Sequence, residues 1–117
     1  MKHNYPFTIV EKIQLLQRWI LVQSFAYYEL NENIASDFQY DANARQLVEL
    51  MREYPDEAAQ SKYHLYFHDY CPATEDAHFT SGFDLVERLR KKDEKGMYRN
   101  VWRDAAWALE LKGKRRE

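Results

Sequence analysis

Residues 9–30 constrain the fold most, because their apolar side chains follow two faces of one helix. Thr8 and Glu11 are spaced as a capping box, which predicts a helix start at residue 9. The first face carries Ile9, Ile13, Leu16, Ile20 and Tyr27. The second face carries Leu15, Trp19, Val22, Ala26 and Leu30. A helix that is apolar on two faces is expected to be sandwiched between neighbouring elements.

A second helix is predicted over residues 37–54, after a short connection. Ser36 followed three residues later by Gln39 repeats the capping pattern, and Pro55 ends the helix. Its apolar stripe consists of Tyr40, Ala44, Leu47, Met51 and Tyr54. Because the connection is so short, we expect the helices over 9–30 and 37–54 to pack as an antiparallel hairpin.

The remaining sequence predicts two further helices, over about residues 83–92 and 97–111. Between them and the hairpin the pattern is ambiguous. Residues 56–59 could open a short helix, whereas Tyr63, Leu65 and Phe67 alternate with polar residues as in a half-buried strand. We therefore predict an all-α fold and leave minor strands within residues 62–80 as an alternative.

Length and composition agree with this fold class. A chain of 117 residues is expected to form a single domain, here a hairpin of residues 1–55 and a helical extension of residues 56–117. Three glycines and three prolines are too few for a turn-rich β-sandwich, and a single cysteine excludes an intrachain disulfide.

Charge and hydropathy narrow the expected partners. The net charge of -2 gives no reason to expect nucleic-acid binding, and we read the basic residues 112–116 as a solvated end. No apolar run approaches the ~20 residues of a membrane span, and no signal peptide is apparent. We therefore expect a cytoplasmic protein without a membrane partner. The oligomeric state does not follow from the sequence.

One corner of the predicted hairpin concentrates aromatic and acidic side chains. Asp37, Tyr40 and Asp41 share a patch, because residues three and four apart are neighbours on a helix. A closed hairpin brings Tyr27 and Tyr28 to the same corner. Phenol rings stack on flat rings, and carboxylates bind ribose hydroxyls or attract a cationic ring. The alternative is structural, since first-turn acids also stabilise the helix dipole.

The same segment resembles the N-terminal Ia domain of bacterial NAD-dependent DNA ligases over about residues 9–55. The family pattern is a tyrosine followed by Tyr or His, a short turn, Ser or Pro before Asp, two residues, Tyr-Asp, and a helix that ends near a proline. This sequence matches it with Tyr27-Tyr28, Ile34, Ser36-Asp37, Tyr40-Asp41 and Pro55. The match is ungapped over about a quarter of the chain.

The resemblance implies a ligand and a set of binding residues. In that family the Ia domain binds the nicotinamide mononucleotide half of NAD. This half is the leaving group when a lysine attacks the adenylyl phosphate. The family's recognition positions fall on Tyr27, Tyr28, Asp37, Tyr40 and Asp41. The implied cofactor is NAD or nicotinamide mononucleotide.

The sequence also departs from the family. Its closest string to the adenylated K-x-D-G motif, residues 91–94, lacks the glycine, and the residues after Pro55 are too few for a nucleotidyltransferase domain. We therefore expect a stand-alone module without catalytic activity of its own, whose partner is a separate nucleotidyltransferase or DNA ligase. A phage accessory protein would be one setting for it. The alternative is a helical protein-interaction module that kept the hairpin without nucleotide binding.

His64 and His68 are weak candidates for a metal site. Their spacing of four residues places both imidazoles on one side of a helix. An exposed or hydrogen-bonded histidine is commoner than a ligand, so we expect no metal.

Overall fold

The structure, a computed structural model, describes residues 7–70, 82–92 and 96–115. Its helices are α1 (Ile9–Glu29), α2 (Asp37–Glu53), α3 (Pro55–Gln60), α4 (His64–Phe67), α5 (Gly82–Lys91) and α6 (Met97–Arg115). These described residues contain no strand, so the predicted all-α fold is confirmed. No helix among them is long and apolar enough to cross a membrane.

The first two helices begin where the capping patterns place them. Thr8 Oγ1 accepts a hydrogen bond from the Glu11 N–H at 3.1 Å, and the Glu11 carboxylate accepts one from the Thr8 N–H at 2.9 Å. Ser36 Oγ accepts from the Gln39 N–H at 3.1 Å at the start of α2. Each cap satisfies N–H groups that have no partner inside the helix.

Thr8→Ala is expected to lower the free energy of unfolding by about 1 kcal/mol, because the N–H of Glu11 loses its acceptor. Denaturant unfolding followed by circular dichroism measures the change. Thr8→Ser keeps the hydroxyl and serves as the matched control. Equal stability of the alanine and serine variants would contradict the role assigned to this cap.

Helix α1 lies at the centre of the fold, in contact with α2 and α3 and also with α5 and α6. Gln17 contacts Met51 and Ser24 contacts Tyr40, so positions rise along α1 as they fall along α2. The predicted antiparallel hairpin is confirmed. The fully buried side chains include Ile13, Ile20, Leu21, Phe25, Leu47, Leu85, Leu89 and Val101. Both apolar faces of α1 therefore pack against neighbouring helices, except at Leu15 and Tyr27, which are exposed.

Aromatic and charged contacts hold α5 and α6 against α1. The rings of Phe25 and Tyr98 pack edge to face with their centres 5.0 Å apart. Glu29, the last residue of α1, accepts hydrogen bonds from Tyr98 Oη, at 2.5 Å, and from Arg90 of α5. The residues after Pro55 thus fix the end of α1 that carries the tyrosine pair.

The interpretation of residues 63–67 as a strand is wrong. Pro55 opens α3, where proline at the first helical position needs no N–H partner, and α4 follows. The buried side chains Tyr63, Tyr66, Phe67 and Tyr70 are spaced three and four apart as in a helix, while Leu65 is 46% exposed. Burial of aromatic rings at helical spacing outweighs the short alternating pattern. Residues 71–80, the rest of the suggested strand region, lie outside the described part.

Candidate functional site

Tyr27 and Tyr28 occupy the last turn of α1 and project outward. Their side chains are 51% and 44% exposed, and the rings meet edge to face with centres 4.8 Å apart and planes at 88°. The turn just before them is buried, and Glu29 just after them is held by α5 and α6. The pair is therefore presented to solvent from a fixed helix end.

Tyr40 is held by its hydroxyl group. Its Oη lies 3.0 Å from Ser24 Oγ of α1 and 3.4 Å from Tyr70 Oη, which follows α4. Ser24 and Tyr70 are both buried, so they fix the position of the half-buried Tyr40 side chain. Because the hydroxyl is engaged on two sides, the ring is the part of Tyr40 suited to contact a ligand.

The two predicted acids belong to the first turns of α2. Asp37 is the first residue of the helix, and its side chain lies outside the described part of the structure. Asp41 follows one turn later with an exposed side chain, and it forms no hydrogen bond or ion pair with any described residue. Its carboxylate is therefore open to solvent, one residue after Tyr40.

Tyr28 is electrostatically linked to the residues around it. Burial raises the pKa of its hydroxyl above the usual value, and negative charge on Tyr40, Tyr27 and Asp84 raises it further. A tyrosine hydroxyl is protonated at neutral pH even at its ordinary pKa, so it can donate a hydrogen bond. Asp84 lies in the first turn of α5, so the extension contributes charge to the corner.

These observations bring Tyr27, Tyr28 and Tyr40 together as one aromatic corner, with Asp41 beside Tyr40 on α2. Flat rings with a carboxylate at the rim suit a planar cation. Sequence reasoning missed Ser24, Tyr70 and Asp84. Ser24 could have been found from the sequence, because it lies one helical turn before Tyr28 on α1. No local sequence pattern places residues 70 and 84 near the corner.

The histidine candidates lie away from this corner, on α4. The rings of His64 and His68 have centres 6.0 Å apart. The nearby Asp69 carboxylate is bound at both oxygens by Arg88, at 2.8 and 3.1 Å. The described residues contain no group of three or more metal-ligating side chains.

Glu29, the residue directly after the tyrosine pair, changes the pKa of Tyr98 on α6. Its hydrogen bond is the main cause that raises the pKa of the Tyr98 hydroxyl, and burial adds to it. Ionisation of Tyr98 would place a second negative charge against the Glu29 carboxylate. This linkage contributes stability in full below the ordinary tyrosine pKa of about 10.

That stability is expected to be lost as pH rises through the raised pKa of Tyr98. Glu29→Gln removes the carboxylate, so the Tyr98 titration should move to lower pH. The ultraviolet absorbance of tyrosinate measures it, and subtraction of the Tyr98→Phe curve isolates this residue. Titration of Tyr98 at the same pH in the wild-type protein and the Glu29→Gln variant would contradict the linkage.

Comparison with known proteins gives a partial match to DNA ligases. The chain is 35% identical over 55 residues to the DNA ligases of Thermotoga petrophila and Thermotoga maritima. It is 35% identical over 51 residues to that of Thermotoga neapolitana. The matches cover 47%, 47% and 44% of this chain. The resemblance to DNA ligases is therefore confirmed.

The match is confined to a small part of those enzymes. The chain spans 8% of the Thermotoga petrophila and Thermotoga maritima ligases and 7% of the Thermotoga neapolitana ligase. No protein-family model matches the chain, and no solved structure matches it.

Proposed function

We propose that the chain is a non-ligating module that binds nicotinamide mononucleotide or NAD at the corner of Tyr27, Tyr28, Tyr40 and the α2 acids. The observation that carries the proposal is the exposure of Tyr27 and Tyr28 as a contacting pair, in a chain similar to DNA ligases. Had α6 covered both rings, the corner would be a packing contact. Instead, about half of each tyrosine side chain faces solvent.

The chemistry of the corner matches the nicotinamide end of the cofactor. A pyridinium ring is flat and positively charged, so it gains from stacking on phenol rings and from nearby carboxylates. The Tyr28 hydroxyl is neutral at physiological pH and can donate a hydrogen bond. Asp41, together with Asp37, would bind the ribose hydroxyls or the carboxamide through charge-assisted hydrogen bonds.

In this proposal the module positions a nucleotide for another protein. Residues 91–94 lack the glycine of the adenylation motif, so adenylyl transfer would come from a separate nucleotidyltransferase. The module would accompany or regulate that partner. Its own contribution would be binding and orientation of the leaving group.

Titration of the full chain with nicotinamide mononucleotide, then NAD, followed by two-dimensional amide NMR, tests the binding. We expect saturable shifts around Tyr27, Asp37 and Tyr40. AMP lacks the nicotinamide and serves as the matched control ligand, for which those shifts should be absent. No shift at millimolar nucleotide, or equal shifts with AMP, would contradict nicotinamide recognition.

The second candidate function is a protein-interaction module without nucleotide binding. It is favoured by Phe38, which is 83% exposed in the first turn of α2, beside the corner. Phenylalanine is enriched in the contact surfaces between proteins. A null titration would leave this function as the better account of the same surface.

A further inference from the structure

The outward face of α6 is unusually apolar for a solvent-exposed helix. Trp107 is 63% exposed, on the side away from the buried Ala105. Leu111 follows one helical turn later and is also exposed. Tryptophan is enriched at contact surfaces, where its large ring is covered by a partner.

Two charged side chains of opposite sign lie on this face. Arg103 and Glu110 are exposed, and neither forms an ion pair with any described residue. They are seven residues apart, so they share one line along α6 but are separated by about 10 Å. That separation prevents them from pairing within one helix, where ion pairs form at three or four residues.

The order of these residues makes the face self-complementary. Trp107 lies near the midpoint between Arg103 and Glu110 in sequence. A two-fold axis perpendicular to α6 at this point places Arg103 opposite Glu110 of a second copy, twice. The same axis brings the two Trp107 rings together. A parallel arrangement would instead place Arg103 against Arg103, which is unfavourable.

We propose that this α6 face binds the same face of a second copy of the chain, with the two helices antiparallel. The contacts are two Arg103–Glu110 ion pairs around a central pair of Trp107 rings. Two helices of 19 residues offer a small surface by the standard of stable dimers. The dimer therefore dissociates on dilution.

Sedimentation velocity over a dilution series tests the proposal. We expect the wild-type mass to rise with concentration from that of one chain towards that of two. Trp107→Ala, Arg103→Glu and Glu110→Arg should each weaken association by roughly tenfold or more, since each removes the ring contact or creates two like-charge contacts. The double variant Arg103→Glu/Glu110→Arg reverses both charges and should restore the dimer.

Recovery of the dimer by the double variant would show that Arg103 and Glu110 pair between two chains, because the two residues cannot pair within one helix. A nonspecific effect of surface charge would not be reversed in this way. Glu49→Arg, an equal charge reversal on the exposed side of α2, is the matched control and should leave association unchanged. Circular dichroism verifies that each variant is folded. A wild-type chain that stays monomeric, association unaffected by Trp107→Ala, or a double variant that remains dissociated would overturn the proposal.

Discussion

A fragment that ends at Pro55 is expected to be unfolded, although it contains the whole hairpin that resembles the ligase segment. Removal of α5 and α6 uncovers one side of α1, including the fully buried Phe25 that packs on Tyr98. Burial of one such side chain contributes about 1.5–3 kcal/mol, whereas a small domain is stable by only about 5–15 kcal/mol. Two isolated helices do not offset that loss.

Far-ultraviolet circular dichroism and thermal unfolding of residues 1–55 measure this effect. We expect weak helical signal and no cooperative transition, while the full chain gives both. A cooperative transition in the fragment would show that the hairpin folds without its extension. It would also remove the reason given above for the fixed position of the tyrosine pair.

Loss of nucleotide binding is the second large effect expected, for Asp37→Ala and Asp41→Ala. Each removes a carboxylate proposed to bind the nicotinamide nucleotide, and a charge-assisted hydrogen bond is worth about 1.5–3 kcal/mol. The affinity should therefore fall by roughly ten- to a hundredfold. The free energy of unfolding should change by only about 0.3–1 kcal/mol for Asp37→Ala, which removes a first-turn charge, and by less for Asp41→Ala.

The NMR titration described above, repeated with each variant, measures the loss. Asp56→Ala removes an exposed first-turn acid from α3 instead and should bind nucleotide like the wild type. A large loss of stability without a change in affinity would assign the α2 acids to folding alone. That result would favour the protein-interaction function.

The helices that could be predicted are those with complete local signals. Thr8 with Glu11, and Ser36 with Gln39, mark helix starts through hydrogen bonds between residues three apart. Pro55 marks the boundary between α2 and α3. The α3–α4 region could not be assigned, because its three alternating apolar residues fit either period. Burial of Tyr66 and Tyr70, which decides the matter, depends on contacts with residues distant in sequence. Helix α6 also continues through Gly113 to Arg115, beyond the predicted end at residue 111, although glycine often ends a helix.

The candidate site was predictable only where it is local. Tyr27, Tyr28, Tyr40 and Asp41 lie near the ends of two helices joined by a short connection, so hairpin closure was enough to group them. The contribution of Tyr70 and Asp84 depends on the path of the chain after Pro55. No periodicity in residues 56–92 indicates that these two side chains return to the corner.

The position of α1 between its neighbouring helices affects how much conformational entropy would be lost when a ligand binds. Because α1 contacts α2, α3, α5 and α6, we expect its backbone hydrogen bonds to open only after α2 or the α5–α6 pair has moved away. Tyr27 and Tyr28 are attached to that slow-opening element rather than to a mobile loop. A ligand would then meet rings already in place, and little conformational entropy would be lost on binding. Preorganisation of this kind would let the proposed site bind a ligand without first folding around it.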